Sequence, residues 1–287
     1  MKIMHILLVV IIAAAVSFGV VRYTPQAQTT AAVDETAYDR IKRSGVIRCG
    51  YAPWEGIFTI NANTGQPEGL AYDYVSLLAN YLSLKVEWVE DTGYANAVTA
   101  LNAKRIDVFC PGIWPNGSRA RQAEFTTPIM FNAAHAFVRS DDTRFDDNLQ
   151  ALNNPAITVA SPDGYTAARI AATDFPQAKI FGISQVSGAA DQLEAVATGK
   201  ADVTFVDVAA GQEYMANNPG KLKMVKADKP LRVFPVTLMV SAGESRLREM
   251  INTATGEMLY SGAIEKIIRK YEKYPGSYLR IASGYAQ

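Results

Sequence analysis

Short runs rich in β-branched residues alternate with amphipathic stretches of helical periodicity from Tyr38 onward. Such alternation restricts the fold to α/β units built around mostly parallel sheets. Strands are predicted at residues 46–49, 85–89, 106–110, 134–138, 157–160, 179–181, 203–206 and 236–241. Helices are predicted at residues 70–82, 95–103, 167–174, 188–198 and 245–271, where apolar residues recur at helical spacing.

A weak internal repeat indicates two similar lobes. Residues 98–109, VTALNAKRIDVF, and residues 193–205, LEAVATGKADVTF, each run from a helix through a turn into a strand that begins with Asp-Val. In lobes of this kind, ligands bind beyond the carboxyl ends of the parallel strands. The residues that follow Cys49, Cys110, Ala160 and Val206 therefore form the candidate site.

The four strand ends are followed by residues suited to holding a small polar molecule. An aromatic, proline-containing loop leads to Trp54, and a longer loop leads through Trp114 to Arg119. Thr166 opens a helix, whose free amide groups favour an anion or a polar ligand group. Asp207 follows the fourth strand. The set contains no pair of a nucleophile and a base.

The charge balance argues against a nucleic-acid-binding protein. Among the 287 residues, 28 basic side chains stand against 28 acidic ones, and the formal net charge is zero. Binding of nucleic acid requires clustered Lys and Arg that displace counterions. The two cysteines and two histidines lack the spacing of a zinc site. We therefore expect neither a nucleic-acid partner nor a metal or other cofactor.

An almost unbroken apolar run from Ile3 to Val21 is predicted to meet a membrane. Cleavage after Ala15 or Ser17, where small residues have signal-peptide spacing, competes with retention as an anchor. In either case Lys2, on the cytoplasmic side, directs the rest of the chain outward. Residues 1–29 are therefore predicted to be a signal peptide or an anchor with its tether, and the protein is expected in the periplasm.

An exported chain enters an oxidising compartment, which permits a disulfide between Cys49 and Cys110. Each cysteine ends a predicted strand, and in neighbouring strands their α carbons would lie within bonding reach. The competing interpretation is that both are buried thiols serving as small hydrophobic residues. Of these two interpretations, the sequence favours two buried free thiols over a disulfide.

Four segments, taken in order along the chain, resemble those of a known family. They are GQPEGLAYD at residues 65–73, RARQAEFTTP at 119–128, GKADVTFVD at 199–207 and GAIEKIIRKY at 262–271. Together they are similar to the solute-binding proteins of amino-acid ABC transporters, the family 3 periplasmic binding proteins with a two-lobed type II α/β fold. The resemblance implies a ligand cleft between two lobes that are joined by two hinge crossings.

The resemblance also assigns roles to the residues at the strand ends. Arg119 would hold the ligand α-carboxylate with its planar guanidinium, and Asp207 would accept the α-ammonium group from the other lobe. Thr166 matches the family's Gly-Thr-Thr loop. Gly112 matches a position whose backbone lines the pocket, and Trp54 matches an aromatic residue that packs on the ligand side chain.

Two positions before the arginine depart from the family pattern. Trp114 stands where the family commonly has a small hydroxyl residue, and Asn116 stands where it has threonine. A tryptophan there would shrink the space for the ligand side chain, or stack with Trp54 on a planar or cationic group. Asn116 can still donate a hydrogen bond to a carboxylate. Tyr165 is a further candidate ligand contact.

Each assignment has a purely structural alternative. Arg119 can pair with Glu124 at the surface, and Asp207 can cap the helix that follows it. The two tryptophans can be core aromatics. Thr166 can be a plain helix cap.

The sequence thus predicts a monomeric two-lobed binding protein, with lobe one at residues 38–138 and 236–285 and lobe two at residues 139–235. Its function would be to capture an amino acid or a related small carboxylate for an ABC permease by hinge closure. One rival is a dehydratase-like enzyme on the same fold, acting on cyclic carboxylic acids, which would need Asp207 or Glu55 in apolar surroundings that raise its pKa. Another is a ligand-sensing domain.

Overall fold

The computed structural model describes residues 35–162, 165–184, 188–227 and 229–281. The apolar run at residues 3–21, with the cleavage positions predicted inside it, lies outside these ranges. Within the described part of the chain, no helix has both the length and the apolar character needed to cross a membrane.

Helices and strands alternate along most of the chain. The strands are β1 Val46–Tyr51, β2 Thr59–Ile60, β3 Pro67–Glu68, β4 Lys85–Asp91, β5 Val108–Ile113, β6 Ala123–Phe125, β7 Met130–Arg139, β8 Thr158–Pro162, β9 Lys179–Ile183, β10 Val203–Asp207, β11 Leu222–Met224, β12 Arg232–Ser241 and β13 Tyr278–Leu279. The helices are α1 Ala37–Ser44, α2 Leu70–Tyr81, α3 Gly93–Asn102, α4 Gly117–Ala120, α5 Thr166–Asp174, α6 Ala189–Ala197, α7 Val208–Asn217, α8 Ser245–Tyr260 and α9 Ala263–Tyr271. A short 3₁₀ helix lies at Leu149–Leu152.

The described strands form one large mixed sheet, with a separate hairpin of β2 and β3. The order across the sheet is β4-β1-β5-β12-β7-β10-β8-β9, with β6 beside β12, and β11 and β13 beside β7. Strands β4, β1 and β5 are parallel to one another, as are β10, β8 and β9. We call these two parallel groups, with their helices, the first half and the second half. The predicted α/β class is therefore confirmed.

Two long antiparallel strands join the halves. Residues Arg232–Val236 of β12 pair with β7, and Thr237–Val240 of the same strand pair with β5. In β7, Met130–Ala134 pair with β12, while Ala134–Val138 pair with β10. The chain therefore passes between the two parallel groups along β7 and again along β12.

The internal repeat has a physical basis in two aspartates that precede equivalent strands. The carboxylate of Asp107 accepts a hydrogen bond from the backbone N–H of Arg48 on β1 at 2.8 Å. The carboxylate of Asp202 accepts one from the backbone N–H of Thr158 on β8 at 2.9 Å. Each aspartate thereby fixes the start of one parallel strand against its neighbour.

The largest apolar core packs α2, α8 and α9 against the first half. Tyr74 of α2 is buried there, and its hydroxyl lies 2.7 Å from the Thr255 hydroxyl of α8, so the polar atom of a buried ring is paired. The single helix predicted at residues 245–271 is wrong. Gly262, with φ of 73°, separates α8 from α9, because the left-handed conformation that it adopts ends a helix.

Cys49 and Cys110 form a disulfide, and the preference for two free thiols is wrong. The two residues lie on the adjacent parallel strands β1 and β5, with their α carbons 5.5 Å apart. That separation falls in the range that a disulfide requires. The bond ties together two strands whose following loops reach the candidate site.

Candidate functional site

A cavity of about 110 Å³ lies where the loops after β1, β5, β8 and β10 converge. One water needs only roughly 10–15 Å³, so the cavity has room for a small solute. Six of the eight residues predicted from the sequence line it, namely Trp54, Trp114, Arg119, Tyr165, Thr166 and Asp207. The first half supplies the loops after β1 and β5, and the second half supplies those after β8 and β10.

Arg119 reaches the cavity from α4, a one-turn helix that Asn116 caps. The Asn116 side-chain oxygen accepts a hydrogen bond from the Arg119 backbone N–H at 2.9 Å. One guanidinium nitrogen of Arg119 donates to the Tyr94 carbonyl oxygen at 3.3 Å. Burial lowers the pKa of Arg119 below its ordinary value. The alternative pairing with Glu124 finds no support, since Glu124 forms its ion pair with Arg248 at 2.9 Å.

Asp207 is buried at the carboxyl end of β10, where it is only 3% exposed. One carboxylate oxygen accepts from the Ala210 backbone N–H at 3.0 Å, so the residue does cap α7. The other oxygen accepts from the indole N–H of Trp54 at 3.0 Å. Burial raises the pKa of Asp207, although these two hydrogen bonds oppose the rise. Capping α7 therefore does not remove Asp207 from the cavity.

The tryptophans form part of an aromatic wall and also contact the core of the first half. The Trp54 ring meets Trp114 edge to face, with centroids 5.5 Å apart, and meets Tyr94 in the same way at 6.2 Å. Trp114 stacks on Phe234 of β12 at 4.5 Å. The core and pocket interpretations of the two tryptophans are thus both compatible with the structure.

Two buried hydrogen-bond donors of this wall lack an acceptor among the described residues. They are the indole N–H of Trp114 and the hydroxyl of Tyr94. A buried polar group without a hydrogen-bond partner lowers the stability of the folded state by about 1–3 kcal/mol. A bound ligand that accepts hydrogen bonds from these two donors would remove this loss. Tyr94 was not among the residues predicted from the sequence, although it follows the end of β4, and ligands gather at the ends of parallel strands.

Glu55 also lines the cavity, one residue beyond Trp54. A Cβ built on Gly188, which precedes α6 in the second half, would lie 3.8 Å from a Glu55 carboxylate oxygen. The carboxylate thus reaches across from the first half to the second. Burial is the largest cause that raises the pKa of Glu55, and the charges of Asp207 and Asp191 raise it further.

The remaining predicted residues have different positions. Thr166 is the first residue of α5, and the cap position belongs to Tyr165, whose side chain makes no capping hydrogen bond. Gly112 does not line the cavity. It has φ of 93°, and a Cβ there would come within 2.7 Å of Val236 and 3.6 Å of Trp54, so the glycine allows close packing behind the tryptophan.

Asn116 belongs to a second cavity of about 160 Å³. Arg169, Arg232 and Phe234 also line it. Trp114 and Thr166 line both cavities, so these two residues form the partition between them.

The chain belongs to the bacterial extracellular solute-binding proteins of family 3, whose model matches residues 47–274. A probable amino-acid ABC transporter-binding protein of Haemophilus influenzae is 26% identical over 233 residues, which cover 80% of this chain and 85% of that protein. The cyclohexadienyl dehydratase of Pseudomonas aeruginosa is 28% identical over a shorter stretch of 147 residues, 51% of this chain and 54% of that enzyme.

Among solved structures, the chain is similar to an ancestral amino acid-binding protein, AncCDT-1, described as a precursor of cyclohexadienyl dehydratase. The TM-score is 0.72 with 24% sequence identity, and the match covers 83% of this chain and all of that one. This similarity confirms the fold that the sequence predicted. The family relationship makes the chain an extracellular solute-binding protein.

Proposed function

We propose that the protein captures an α-amino acid in the cavity and presents it to the permease of an ABC transporter. The observation that carries this proposal is that Arg119 and Asp207, which reach the cavity from different halves of the sheet, line one small space. A guanidinium and a carboxylate in one cavity match the two charges of a zwitterion. The name of the Haemophilus relative supports an amino acid as ligand and a transporter as partner.

Capture would work by closure of two lobes, residues 38–138 with 236–285 and residues 139–235. Strands β7 and β12, which pass between the halves, are the proposed hinges. A ligand that contacts both lobes binds the closed form better than the open form and shifts the equilibrium toward closure. The closed, ligand-bound monomer is then the form that the permease recognises in the periplasm, where the disulfide is stable.

The test is a thermal-shift panel of the twenty amino acids on the purified protein and on Arg119→Ala. A ligand that binds only the folded state must raise the melting temperature by mass action. We expect at least one amino acid to do so, and the shift to disappear in Arg119→Ala. The matched control is Arg121→Ala, which removes an exposed arginine two residues away and should leave the shift intact. Absence of any shift, or a shift indifferent to Arg119, would refute the proposal.

A second candidate function is acid-catalysed dehydration, and the observation that favours it is the half-buried carboxyl group of Glu55 in the cavity, whose pKa is raised by burial and by the charge of Asp207. A protonated Glu55 would donate its proton to the hydroxyl of a cyclic hydroxy acid, and the C–O bond would break as water leaves. The C–C bond to the ring carboxylate would break at the same time and release CO2, so that its electron pair forms the new double bond. Incubation of the protein with a cyclohexadienyl carboxylic acid, followed by chromatography, tests this reaction. Turnover that Glu55→Gln abolishes would favour the enzyme, and absence of turnover favours the binding protein.

A further inference from the structure

Among the residues that the structure describes, the cavity lining contains more acidic than basic side chains. Glu55 and Asp207 line it with two carboxyl groups, whereas Arg119 is the basic residue in its lining. Within the described part of the chain, neither carboxyl group has a Lys, Arg or His nitrogen within 4.0 Å. An ordinary amino-acid zwitterion brings one positive and one negative charge, and it therefore leaves one acidic group uncompensated.

The two acids are not equivalent. Both oxygens of Asp207 already accept hydrogen bonds, from Trp54 and from Ala210. Two such bonds stabilise its ionised form in a buried position. The hydrogen bond that lowers the pKa of Glu55 comes from its own backbone N–H, and the carboxylate is half-buried and faces the start of α6. Glu55 is thus the carboxyl group with unused acceptor capacity.

The surroundings of Glu55 add negative charge and aromatic surface. Asp207 at the end of β10 and Asp191 in the first turn of α6 both raise its pKa by their charge. Trp54, Trp114 and Tyr94 supply ring faces in the same cavity. Carboxylates beside aromatic faces are the combination that binds an organic cation.

We propose that the ligand is a basic amino acid, and that Glu55 is the residue that selects it by accepting its second cationic group. This inference rests on the proposed function, because Arg119 must hold the α-carboxylate and Asp207 the α-ammonium group. The two carboxyl groups and the one guanidinium then balance the three charges of the ligand.

Two matched ligand pairs test the proposal by calorimetry on the purified protein. L-norleucine has the side-chain length of L-lysine without its ammonium group, and L-citrulline has the shape of L-arginine without its charge. We expect the basic member of at least one pair to bind roughly 10- to 100-fold more tightly, because that is the affinity gained from one charge-assisted hydrogen bond to the half-buried Glu55 carboxylate.

The residue assignment is tested with Glu55→Gln, which keeps the size of the side chain and removes its charge. The preference is the ratio of the affinities for the basic and the neutral ligand of a pair. In Glu55→Gln this ratio should fall to within a few-fold of one, and in Glu55→Asp it should be reduced but not lost. Glu257→Gln, an exposed change on α8, is the control and should leave the preference unchanged. Melting temperatures of the ligand-free variants establish that each one folds.

The outcomes separate the two proposals. Tight binding of neutral amino acids that depends on Arg119, with no preference within either pair, would overturn the role of Glu55 and leave the proposed function standing. A basic preference that survives in Glu55→Gln would also overturn that role. Failure of every amino acid, basic or neutral, would refute the proposed function itself.

Discussion

The indole N–H of Trp54 donates a hydrogen bond to the buried carboxylate of Asp207 at 3.0 Å. Trp54 lies in the loop after β1 in the first half of the sheet, and Asp207 ends β10 in the second half. The bond therefore connects the two halves across the cavity. It also uses one of the two oxygens that the α-ammonium group of an amino acid would approach.

Substitution Trp54→Phe keeps an aromatic ring and removes the indole N–H. A hydrogen bond to a charged group contributes about 1.5–3 kcal/mol, and its loss should favour the open form. We expect ligand affinity to fall by roughly tenfold or more, and the ligand-free radius of gyration in solution scattering to rise. Trp88→Phe, which changes a tryptophan outside the cavity, is the control. Unchanged affinity and radius in Trp54→Phe would contradict a bridging role.

Trp114 separates the two cavities, so Trp114→Ala should join them. We expect the variant to gain affinity for amino acids with bulky side chains relative to small ones in a calorimetric panel. Truncation of a fully buried aromatic side chain to alanine lowers the free energy of unfolding by about 3–5 kcal/mol. The loss in Trp114→Ala should be smaller, because Trp114 is only half-buried. Trp114→Phe, which preserves a ring against Phe234, should keep the original preference. An unaltered size preference in Trp114→Ala would show that the indole does not limit the ligand.

The disulfide between Cys49 and Cys110 should stabilise the first half. Replacement of both cysteines by alanine is expected to lower the free energy of unfolding by about 2–4 kcal/mol, because the crosslink restricts the unfolded chain. Urea denaturation of the variant, and of the parent with and without reductant, measures this loss. Reductant should have no effect on the double variant. Equal stability of oxidised and reduced parent would contradict the expected contribution.

Glu55 and Asp207 make the stability of the ligand-free protein depend on pH in a defined direction. The folded-state pKa of Glu55 lies above its ordinary value of 4.5, so between these two values the folded protein binds more protons than the unfolded chain. The contribution of Glu55 to stability therefore decreases as pH rises through the folded-state pKa. Asp207, whose pKa burial also raises, acts in the same direction.

Glu55→Gln isolates this effect. The variant should gain stability relative to the parent at pH 7.5, and the gain should shrink as the pH falls toward 4.5. Urea denaturation at both pH values measures the difference. The control Glu257→Gln should show no such trend. A Glu55→Gln variant that is less stable than the parent at pH 7.5, with a loss that shrinks toward pH 4.5, would mean that Glu55 is stabilised as a carboxylate in the folded protein and would contradict this prediction.

The sequence predicted the main strands because each is a short run rich in β-branched or aromatic residues and bounded by turn residues. The helix predicted at residues 245–271 failed because Ser261 and Gly262 interrupt a pattern whose apolar periodicity continues on both sides. Helix α7 entered the prediction only as the segment that Asp207 could cap and received no bounds, since its alanine-rich sequence has weak amphipathicity and begins immediately after a strand. Tertiary contacts, which a single sequence does not reveal, decide such boundaries.

The candidate site was predictable where it lies at strand ends, and less so where it depends on side-chain geometry. Arg119, Trp54 and Asp207 follow predicted strands and meet in one cavity. The hydrogen bond between Trp54 and Asp207 depends on how the two halves face each other, which no sequence spacing encodes. The disulfide likewise required knowledge that β1 and β5 are neighbours.

The proposed roles of Arg119 and Asp207 are best tested with a crystal structure of the protein grown with the amino acid that gives the largest thermal shift. We expect the ligand carboxylate to lie within hydrogen-bond distance of the Arg119 guanidinium, with the α-ammonium group at Asp207. A ligand bound in the second cavity, or one whose carboxylate has no contact with Arg119, would contradict these roles.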